Sequence, residues 1–366
     1  MLDLKKLYGI WEPYIKKEET IPLAWKFNII LVISKYSGIE AFASELEIRG
    51  FNIKYTDSSN FIILKTSYTD QKTREEIPVI YYLFIDKENN LLVFLTSASK
   101  LIIERTLYAK VIDKISGLYY SWISPNTLQT IKKRIFYAYP DTTIPYFSVA
   151  RRATYKLQTE IRPYADRGLE YRGSDGREAL EEFIQIYGML PKIIEFDVVG
   201  KAKFKLDVKG IFSFLEGDIN FLAETFEFVI DTLLASKTIV EKSKFVLTER
   251  TRKDGKVFVV PQITQWQIKL GRKIDYEDIG SVTKSFENAH FIAIDNFAEK
   301  GSLFWTATII DFLKNSVFSI KSDGEELFIL PKYNCQFDSF LRFYEFFADN
   351  VDPSAVIASS DANDNA

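Results

Sequence analysis

The stretch Phe204-Lys-Leu-Asp-Val-Lys-Gly-Ile-Phe-Ser-Phe-Leu215 decides the fold class. Apolar and polar residues alternate in its first part and an almost continuous apolar run forms its second part, which is the pattern of two β-strands. Asp207 and Gly210 between them are typical turn residues, so the strands are predicted to form an antiparallel hairpin. From about Asp218 to Leu234 apolar residues recur at helical spacing, which predicts a helix lying across the sheet.

The same strand–turn–strand–helix pattern occurs on either side of this stretch. One segment covers residues 81–115 and the other covers residues 318–347. The turn aspartates Asp86, Asp207 and Asp323 are 121 and 116 residues apart. The predicted fold class is therefore α+β, with mainly antiparallel sheets covered by helices. Three related modules are one interpretation of the spacing, and the independent recurrence of a common hairpin–helix arrangement is the other.

Turn and cap signals suggest where the chain divides. Ser124 and Pro125 are a good N-cap and first residue for a helix over residues 125–139, which Pro140 would end. Asp175 and Glu178 have the spacing of a capping box for a second helix. Residues 245–268 have the pattern of another β-hairpin. We predict α+β domains at 1–140, 141–240 and 241–350, followed by a disordered, small and polar tail at 351–366.

Composition limits the compartment and the kind of site. The chain has one cysteine, Cys335, and one histidine, His290, so it has neither an internal disulfide nor a Cys/His zinc set. The N-terminus lacks the apolar core of a signal peptide, and no apolar run approaches the ~18 residues that suggest a membrane span. We therefore expect a cytoplasmic protein that does not enter a membrane.

The common catalytic sets are absent from the sequence. His290 is the only imidazole available as a general base, and it stands at the entry to an apolar strand, while Cys335 stands at a helix start. No dinucleotide or P-loop glycine motif occurs. The turn Arg172–Arg177 has the composition of an anion site, but Asp175 is expected to occupy its free amides. We predict no catalytic residue, metal or cofactor.

Carboxylates and lysines alternate in one part of the chain. Glu195 and Asp197 precede Lys203 and Lys205, and Asp207 follows. Carboxylates that hold Mg²⁺ can support hydrolysis without histidine. A magnesium-dependent nuclease or phosphohydrolase is therefore one alternative, although turn-flanking aspartates usually serve the turn itself.

Basic residues near aromatic rings form two clusters. Such clusters can follow a phosphate backbone while the rings stack on bases. The formal net charge of −3 gives no general attraction to polyanions, so any contact would be local. The candidate nucleic-acid-binding residues are Lys132, Lys133, Arg134, Arg151, Arg152 and Lys156 in the first cluster, and Arg250, Arg252 and Lys253 in the second.

The absence of catalytic sets and the recurring modules favour a binding function over an enzyme. The aromatic content of 15% supplies rings for thick cores or for a flat contact surface. We expect a non-catalytic binding or assembly subunit of an intracellular multi-protein complex, with a protein partner or self-association. Nucleic-acid binding through the two basic clusters and magnesium-dependent hydrolysis are the alternatives.

Overall fold

The computed structural model divides the chain into two compact units, unit 1 at residues 1–233 and unit 2 at residues 234–366. For some residues within helices and strands the structure describes the backbone but not the side chain. These residues are 223, 224, 239–242, 245–251 and 257–263. The described residues are 9, 27–36, 38, 40, 43–58, 60–152, 166–218, 221–242, 245–251, 257–263, 265–301 and 303–358. No helix within these ranges is long and apolar enough to cross a membrane.

Unit 1 is built on an antiparallel sheet to which the described residues contribute eleven strands. Its order is β2-β3-β4-β5-β1-β11-β10-β9-β7-β8, and β6 pairs with the end of β1. The elements are β1 (Phe27–Ser34), α1 (Ala43–Ile48), β2 (Asn52–Tyr55), β3 (Phe61–Thr69), β4 (Glu76–Asp86), β5 (Leu91–Thr96), α2 (Lys100–Ile103, continued by a π-helix Glu104–Ile112), β6 (Leu118–Tyr120), α3 (Pro125–Ala138), β7 (Thr143–Arg151), β8 (Arg167–Arg172), α4 (Gly176–Gln185), β9 (Leu190–Val198), β10 (Ala202–Asp207) and β11 (Ile211–Gly217). The following helix, α5 (Leu222–Lys242), has residues 222–233 in unit 1 and its remaining residues in unit 2.

Helices lie on opposite faces of the two halves of this sheet. Ile30 of β1 and Ile211 of β11 belong to a core that includes α1 and the π-helix. The next residue, Phe212, points to the other face and stacks on Phe226 of α5, with 4.1 Å between ring centroids. Both α3 and α4 pack on β9, and Phe183 of α4 contacts the ring of Phe147. Glu195 and Asp197 of β9, with Lys203 and Lys205 of β10, alternate with the apolar residues of these strands and therefore point away from α3, α4 and α5.

The described residues of unit 2 form a six-stranded antiparallel sheet in the order β15-β16-β17-β18-β14-β19. Helix α7 covers one face, where Phe343 packs on Phe318 and Phe340 packs on Trp266. The elements are the hairpin β12 (Phe245–Thr251) and β13 (Val257–Ile263), then β14 (Trp266–Lys269), α6 (Tyr276–Ser285), a short 3-10 helix (Glu287–Ala289), β15 (Phe291–Ala298), β16 (Trp305–Asp311), β17 (Ser316–Ser322), β18 (Glu326–Tyr333), α7 (Phe337–Asn350) and β19 (Val356–Ala358).

The antiparallel α+β prediction is confirmed, and so is each hairpin–helix segment. Asp86, Asp207 and Asp323 all begin turns in which a side-chain oxygen accepts backbone N–H groups, at 2.8–3.2 Å. Helix α3 begins as predicted, because the Ser124 hydroxyl accepts the Thr127 N–H at 3.0 Å. The hairpin predicted within residues 245–268 is formed by β12 and β13.

Two local predictions are wrong. Asp175 stands at the N-cap of α4 but makes no cap hydrogen bond, since its carboxylate accepts the Tyr171 hydroxyl instead. The predicted tail begins too early, because Val351 and Asp352 are buried and β19 pairs with β14. Apolar residues around position 351 and pairing to a distant strand order this segment despite its polar composition. Residues 359–366 lie outside the described ranges.

The first and third hairpin–helix segments belong to larger arrangements with the same topology. In unit 1 the chain order β1-α1-β2-β3-β4-β5-α2 gives the spatial order β2-β3-β4-β5-β1. In unit 2 the chain order β14-α6-β15-β16-β17-β18-α7 gives β15-β16-β17-β18-β14. The middle segment differs, because β7 pairs with β9 and not with β11. Strands that precede residue 140 and strands that follow it belong to the same sheet of unit 1. The only support for the domain boundary predicted at residue 140 is therefore the turn-forming sequence around it.

Candidate functional site

Helix α3 buries one basic residue of the first cluster and leaves two others exposed. Its apolar residues Leu128, Ile131 and Ile135 face the sheet, and Lys132 lies at the edge of that buried side. Lys132 is only 3% exposed, and its ammonium forms an ion pair with Glu181 of α4. Lys132 therefore ties two helices together, whereas Lys133 and Arg134 remain exposed.

The second part of this cluster is also divided. Arg151 is 1% exposed, and its Nη1 donates to the Gly188 carbonyl at 3.4 Å. Arg152 is exposed and lies 3.8 Å from the Asp166 carboxylate. Lys156, Arg252 and Lys253 lie outside the described residues, and of Arg250 only the backbone is described. Among the candidates whose side chains are described, Lys133, Arg134 and Arg152 thus present a cation at the surface.

Arg134 lines a cleft between α3 and α5. Its guanidinium lies over the ring of Phe228, 4.1 Å from the centroid, which is a cation–π contact. Tyr139, just after α3, packs edge to face on Phe221 with 5.0 Å between centroids. The cleft has a volume of about 280 Å³. The residues lining this α3–α5 cleft are Ile131, Arg134, Ile135, Tyr137, Ala138, Tyr139, Phe221, Thr225 and Phe228.

Sequence reasoning found one wall of the cleft and missed the other. Arg134 belongs to the first basic cluster, and Tyr137 and Tyr139 are its aromatic neighbours in the sequence. Phe221 and Phe228 lie within the range predicted as a helix, but their spacing does not indicate that they line a site. Helical periodicity shows which residues share a face but not which distant helix faces them.

The carboxylate–lysine residues meet on the other face of the sheet. Glu195 is 6% exposed. One of its carboxylate oxygens lies 2.9 Å from the Lys205 ammonium, and the other lies 3.5 Å from the Lys203 ammonium. Lys203 also lies 3.8 Å from Asp197. Asp207 instead pairs with Lys100 of α2 at 2.6 Å. Within the described residues no set of three or more acidic, His or Cys side chains is arranged to hold a metal ion.

Tyr146 completes this charged cluster. Its ring lies between two cations, with Arg172 at 4.6 Å and Lys205 at 4.7 Å from the centroid. Burial, together with the nearby Glu170 carboxylate, raises the pKa of the Tyr146 phenol. Across β8, β7, β9 and β10, the ring of Tyr146 and the carboxylate of Glu195 therefore lie between the cations of Arg172 and Lys205. This arrangement stabilises a polar sheet face, and each Glu195 oxygen is already paired.

The two groups considered as catalytic centres are placed for structure. Burial raises the pKa of the Cys335 thiol, whose Sγ lies 2.9 Å from the Val317 carbonyl oxygen. His290 has a left-handed backbone, with φ of 61°, between the 3-10 helix and β15. It therefore stands at the start of the strand, as the sequence pattern indicates.

Unit 2 presents an apolar surface on the sheet face opposite α7. Strand β15 is at the edge of the sheet, and its outward residues Ile292, Ile294 and Phe297 are 39%, 42% and 55% exposed. Of their cross-strand partners on β16, Ile310 and Thr306 are half-buried and Thr308 is buried. We call this surface the open face; its residues are Ile292, Ile294, Phe297, Thr306, Thr308, Ile310, Val317, Ser319, Lys321, Phe328, Leu330 and Lys332.

Lysines add positive charge to the open face. Lys321 lies over the ring of Phe304, 5.7 Å from its centroid. The Lys332 ammonium donates to the Thr308 hydroxyl at 3.1 Å. The open face is thus apolar at the β15 edge and cationic towards its centre.

Comparison with known proteins gives two matches. Residues 126–209 match the model of the AF_0896_M family, described as a family middle domain. This range holds almost all of α3, with Arg134, and the strands that carry Tyr146, Glu195 and Lys205. The chain is also 25% identical over 350 residues to a protein of Archaeoglobus fulgidus named as an uncharacterized protein, and the match covers 93% of this chain and 92% of that protein.

Proposed function

We propose that this protein is a non-catalytic binding or assembly subunit of an intracellular, cytoplasmic complex, and that its open face binds a protein partner. The observation that carries the proposal is the exposure of Ile292, Ile294 and Phe297 along one edge strand. Contiguous exposed apolar side chains usually mark an interaction surface. An unpaired strand edge can also receive a strand of another chain.

The charge of the open face indicates what charge the partner's surface should carry. Lys321 and Lys332 stand beside the apolar residues, so a complementary surface is apolar and flanked by acidic residues. The shared topology of the two arrangements in units 1 and 2 supports a protein made of related modules. Modules of this kind supply contact surfaces in place of a catalytic cleft.

The experiment compares affinity enrichment from the native host by the wild-type protein and by the variants Ile294→Glu and Ile48→Glu. Ile48 of α1 is 77% exposed and lies in unit 1, so Ile48→Glu is a control of equal chemistry at an unrelated surface. We expect Ile294→Glu to lose a partner that the wild type and Ile48→Glu both retain. The partner is then purified, and its affinity for each variant is measured by calorimetry.

A charge variant tests the proposed chemistry of the partner. Lys321→Glu should weaken binding by roughly tenfold, because an ammonium facing an acidic surface becomes a repelling carboxylate. Retention of the partner by Ile294→Glu would refute the proposed surface. A strict monomer that recovers no partner would contradict the proposed function.

Nucleic-acid binding has less support from the described residues. Two of its candidate cations, Lys132 and Arg151, are buried and bonded within the protein. Binding to labelled DNA and RNA across a salt series tests this alternative, because each neutralised phosphate contributes a log–log slope of about −0.7 to −0.9. The hydrolase alternative has no assembled carboxylate set among the described residues.

A further inference from the structure

We propose that the α3–α5 cleft binds a small molecule that carries an aromatic ring and one carboxylate group. The cleft belongs to unit 1 and is independent of the open face. Most of its lining is apolar or aromatic, and one cation stands at its edge. Small-molecule sites commonly combine such a lining with a few polar groups that fix the orientation of the ligand.

Arg134 provides the anion-binding part of the site. Its guanidinium lies over the ring of Phe228, a contact that uses the charge and leaves the N–H groups as possible donors to a ligand. No hydrogen bond or ion pair joins Arg134 to another described residue. A guanidinium held in this way can donate two parallel hydrogen bonds to the two oxygens of a carboxylate.

The rings provide the second part of the site. Tyr139 and Phe221 already contact each other edge to face, and Tyr137 is 92% exposed at the mouth of the cleft. A planar ligand placed here gains offset or edge-to-face contacts with these rings. Thr225 adds a hydroxyl to the lining.

The volume indicates the size of ligand that the cleft can enclose. A cavity of ~150 Å³ accommodates benzene, with its ~6 non-hydrogen atoms. By that scale, a cleft of about 280 Å³ suits a ligand of about 11 non-hydrogen atoms. A two-ring aromatic acid has this size, whereas a nucleotide is about twice as large.

The test compares two probes that differ only in charge. Indole-3-acetate and indole-3-acetamide have the same ring and the same length, and their dissociation constants for the full chain can be measured by calorimetry or ligand-detected NMR. We expect the acetate to bind about tenfold more tightly than the amide, because only the acetate forms a charge-assisted pair with Arg134. Adenosine monophosphate is the third probe and represents a nucleotide ligand.

Matched variants test whether the preference for the acetate comes from Arg134. Arg134→Gln should remove the preference for the acetate, so that both indoles bind equally. Arg177→Gln is the control, because Arg177 also stacks on a ring, with its guanidinium 4.2 Å from the Phe136 centroid, but lies outside the cleft. It should keep the full preference. Thr225→Trp fills the cleft and should abolish binding of both indoles. Circular dichroism and thermal melting of each variant establish that it is folded.

Three results would overturn the proposal. The acetate and the amide could bind the wild type equally, or the preference could survive Arg134→Gln, or neither indole could bind at millimolar concentration. Binding of adenosine monophosphate that is lost in Arg134→Gln, without binding of indole-3-acetate, would replace the aromatic acid by a nucleotide. The outcome is independent of the open face, because none of the variants alters unit 2.

Discussion

At the scale of single residues, the phenol of Tyr344 in α7 makes the stability of the fold depend on pH. Its hydroxyl donates to the Ala355 carbonyl at 2.9 Å. Burial, with a smaller contribution from the Asp352 carboxylate, raises the pKa of this phenol to about 12 from an ordinary value of 10.0. A raised pKa means that the folded state favours the neutral phenol. Its contribution is complete below pH 10 and is lost as the pH rises through about 12.

We predict that Tyr344→Phe is less stable than the wild type near neutral pH, by about 1 kcal/mol, because it lacks this hydrogen bond. The difference should shrink above pH 10, since only the wild type pays for ionising a buried phenol, which costs about 2–3 kcal/mol when complete. Urea denaturation of both proteins between pH 8 and about 11 measures the effect. A gap that stays constant over that range would contradict the assignment.

Cys335 gives a second prediction at this scale. Burial raises the pKa of its thiol, so little thiolate forms near neutral pH. Alkylation by iodoacetamide at about pH 8 should be at least roughly tenfold slower than that of free cysteine. Unfolding in urea should restore the rate of the free amino acid. Equal rates in the folded protein and in free cysteine would show an exposed, reactive thiol instead.

At the scale of elements, the turns of unit 1 depend on two glycines in different ways. Both Gly200, between β9 and β10, and Gly210, between β10 and β11, have a left-handed backbone, with φ of 67° and 70°. A Cβ at Gly210 would lie 2.0 Å from the Ser121 carbonyl oxygen, whereas a Cβ at Gly200 would meet nothing within 4 Å. Only Gly210 is therefore required by a close approach of the backbone.

We predict that Gly200→Ala costs about 1 kcal/mol of unfolding free energy, which is the penalty for a left-handed non-glycine residue. Gly210→Ala has the same backbone penalty and must also displace the segment at Ser121, so it should lower the unfolding free energy by at least about 3 kcal/mol. Chemical denaturation of the two variants gives the comparison. Similar losses for both would mean that the β10–β11 turn moves easily away from Ser121.

At the scale of the whole molecule, the chain divides into two compact units, and each contains its own buried apolar residues. Trp122 lies in unit 1, while Trp266 and Trp305 lie in unit 2 and pack with phenylalanine rings of that unit. A chain with two such units is not expected to unfold in a single cooperative step. Mutations in one unit should then leave the transition of the other unit unchanged.

We predict that guanidinium unfolding followed by tryptophan fluorescence and by far-ultraviolet circular dichroism gives curves that do not coincide. Gly210→Ala should shift the transition of unit 1 alone. A variant in which Trp11, Trp25 and Trp122 are all replaced by Phe keeps only the two tryptophans of unit 2, so its fluorescence follows unit 2 alone. Coincident curves for the wild type, with one shared shift in Gly210→Ala, would show that the units unfold together.

The sequence by itself determined the local structure of this protein. Alternating apolar residues with Asp207 and Gly210 between them predicted a hairpin, and Ser124 with Pro125 predicted the start of α3, because strand pairing across a short turn and helix capping depend on neighbouring residues. The same local signals failed at Asp175, where the nearby Tyr171 hydroxyl takes the carboxylate that was expected to cap α4.

Only the tertiary structure decided which side chains meet. Lys132 and Arg134 are close in sequence and look equivalent there, yet Lys132 is buried against Glu181 while Arg134 rests on Phe228 at the edge of a cleft. Likewise, the exposure of Ile294 depends on the position of β15 at the edge of its sheet. These outcomes depend on how elements far apart in the chain pack together, and local periodicity carries no information about that packing.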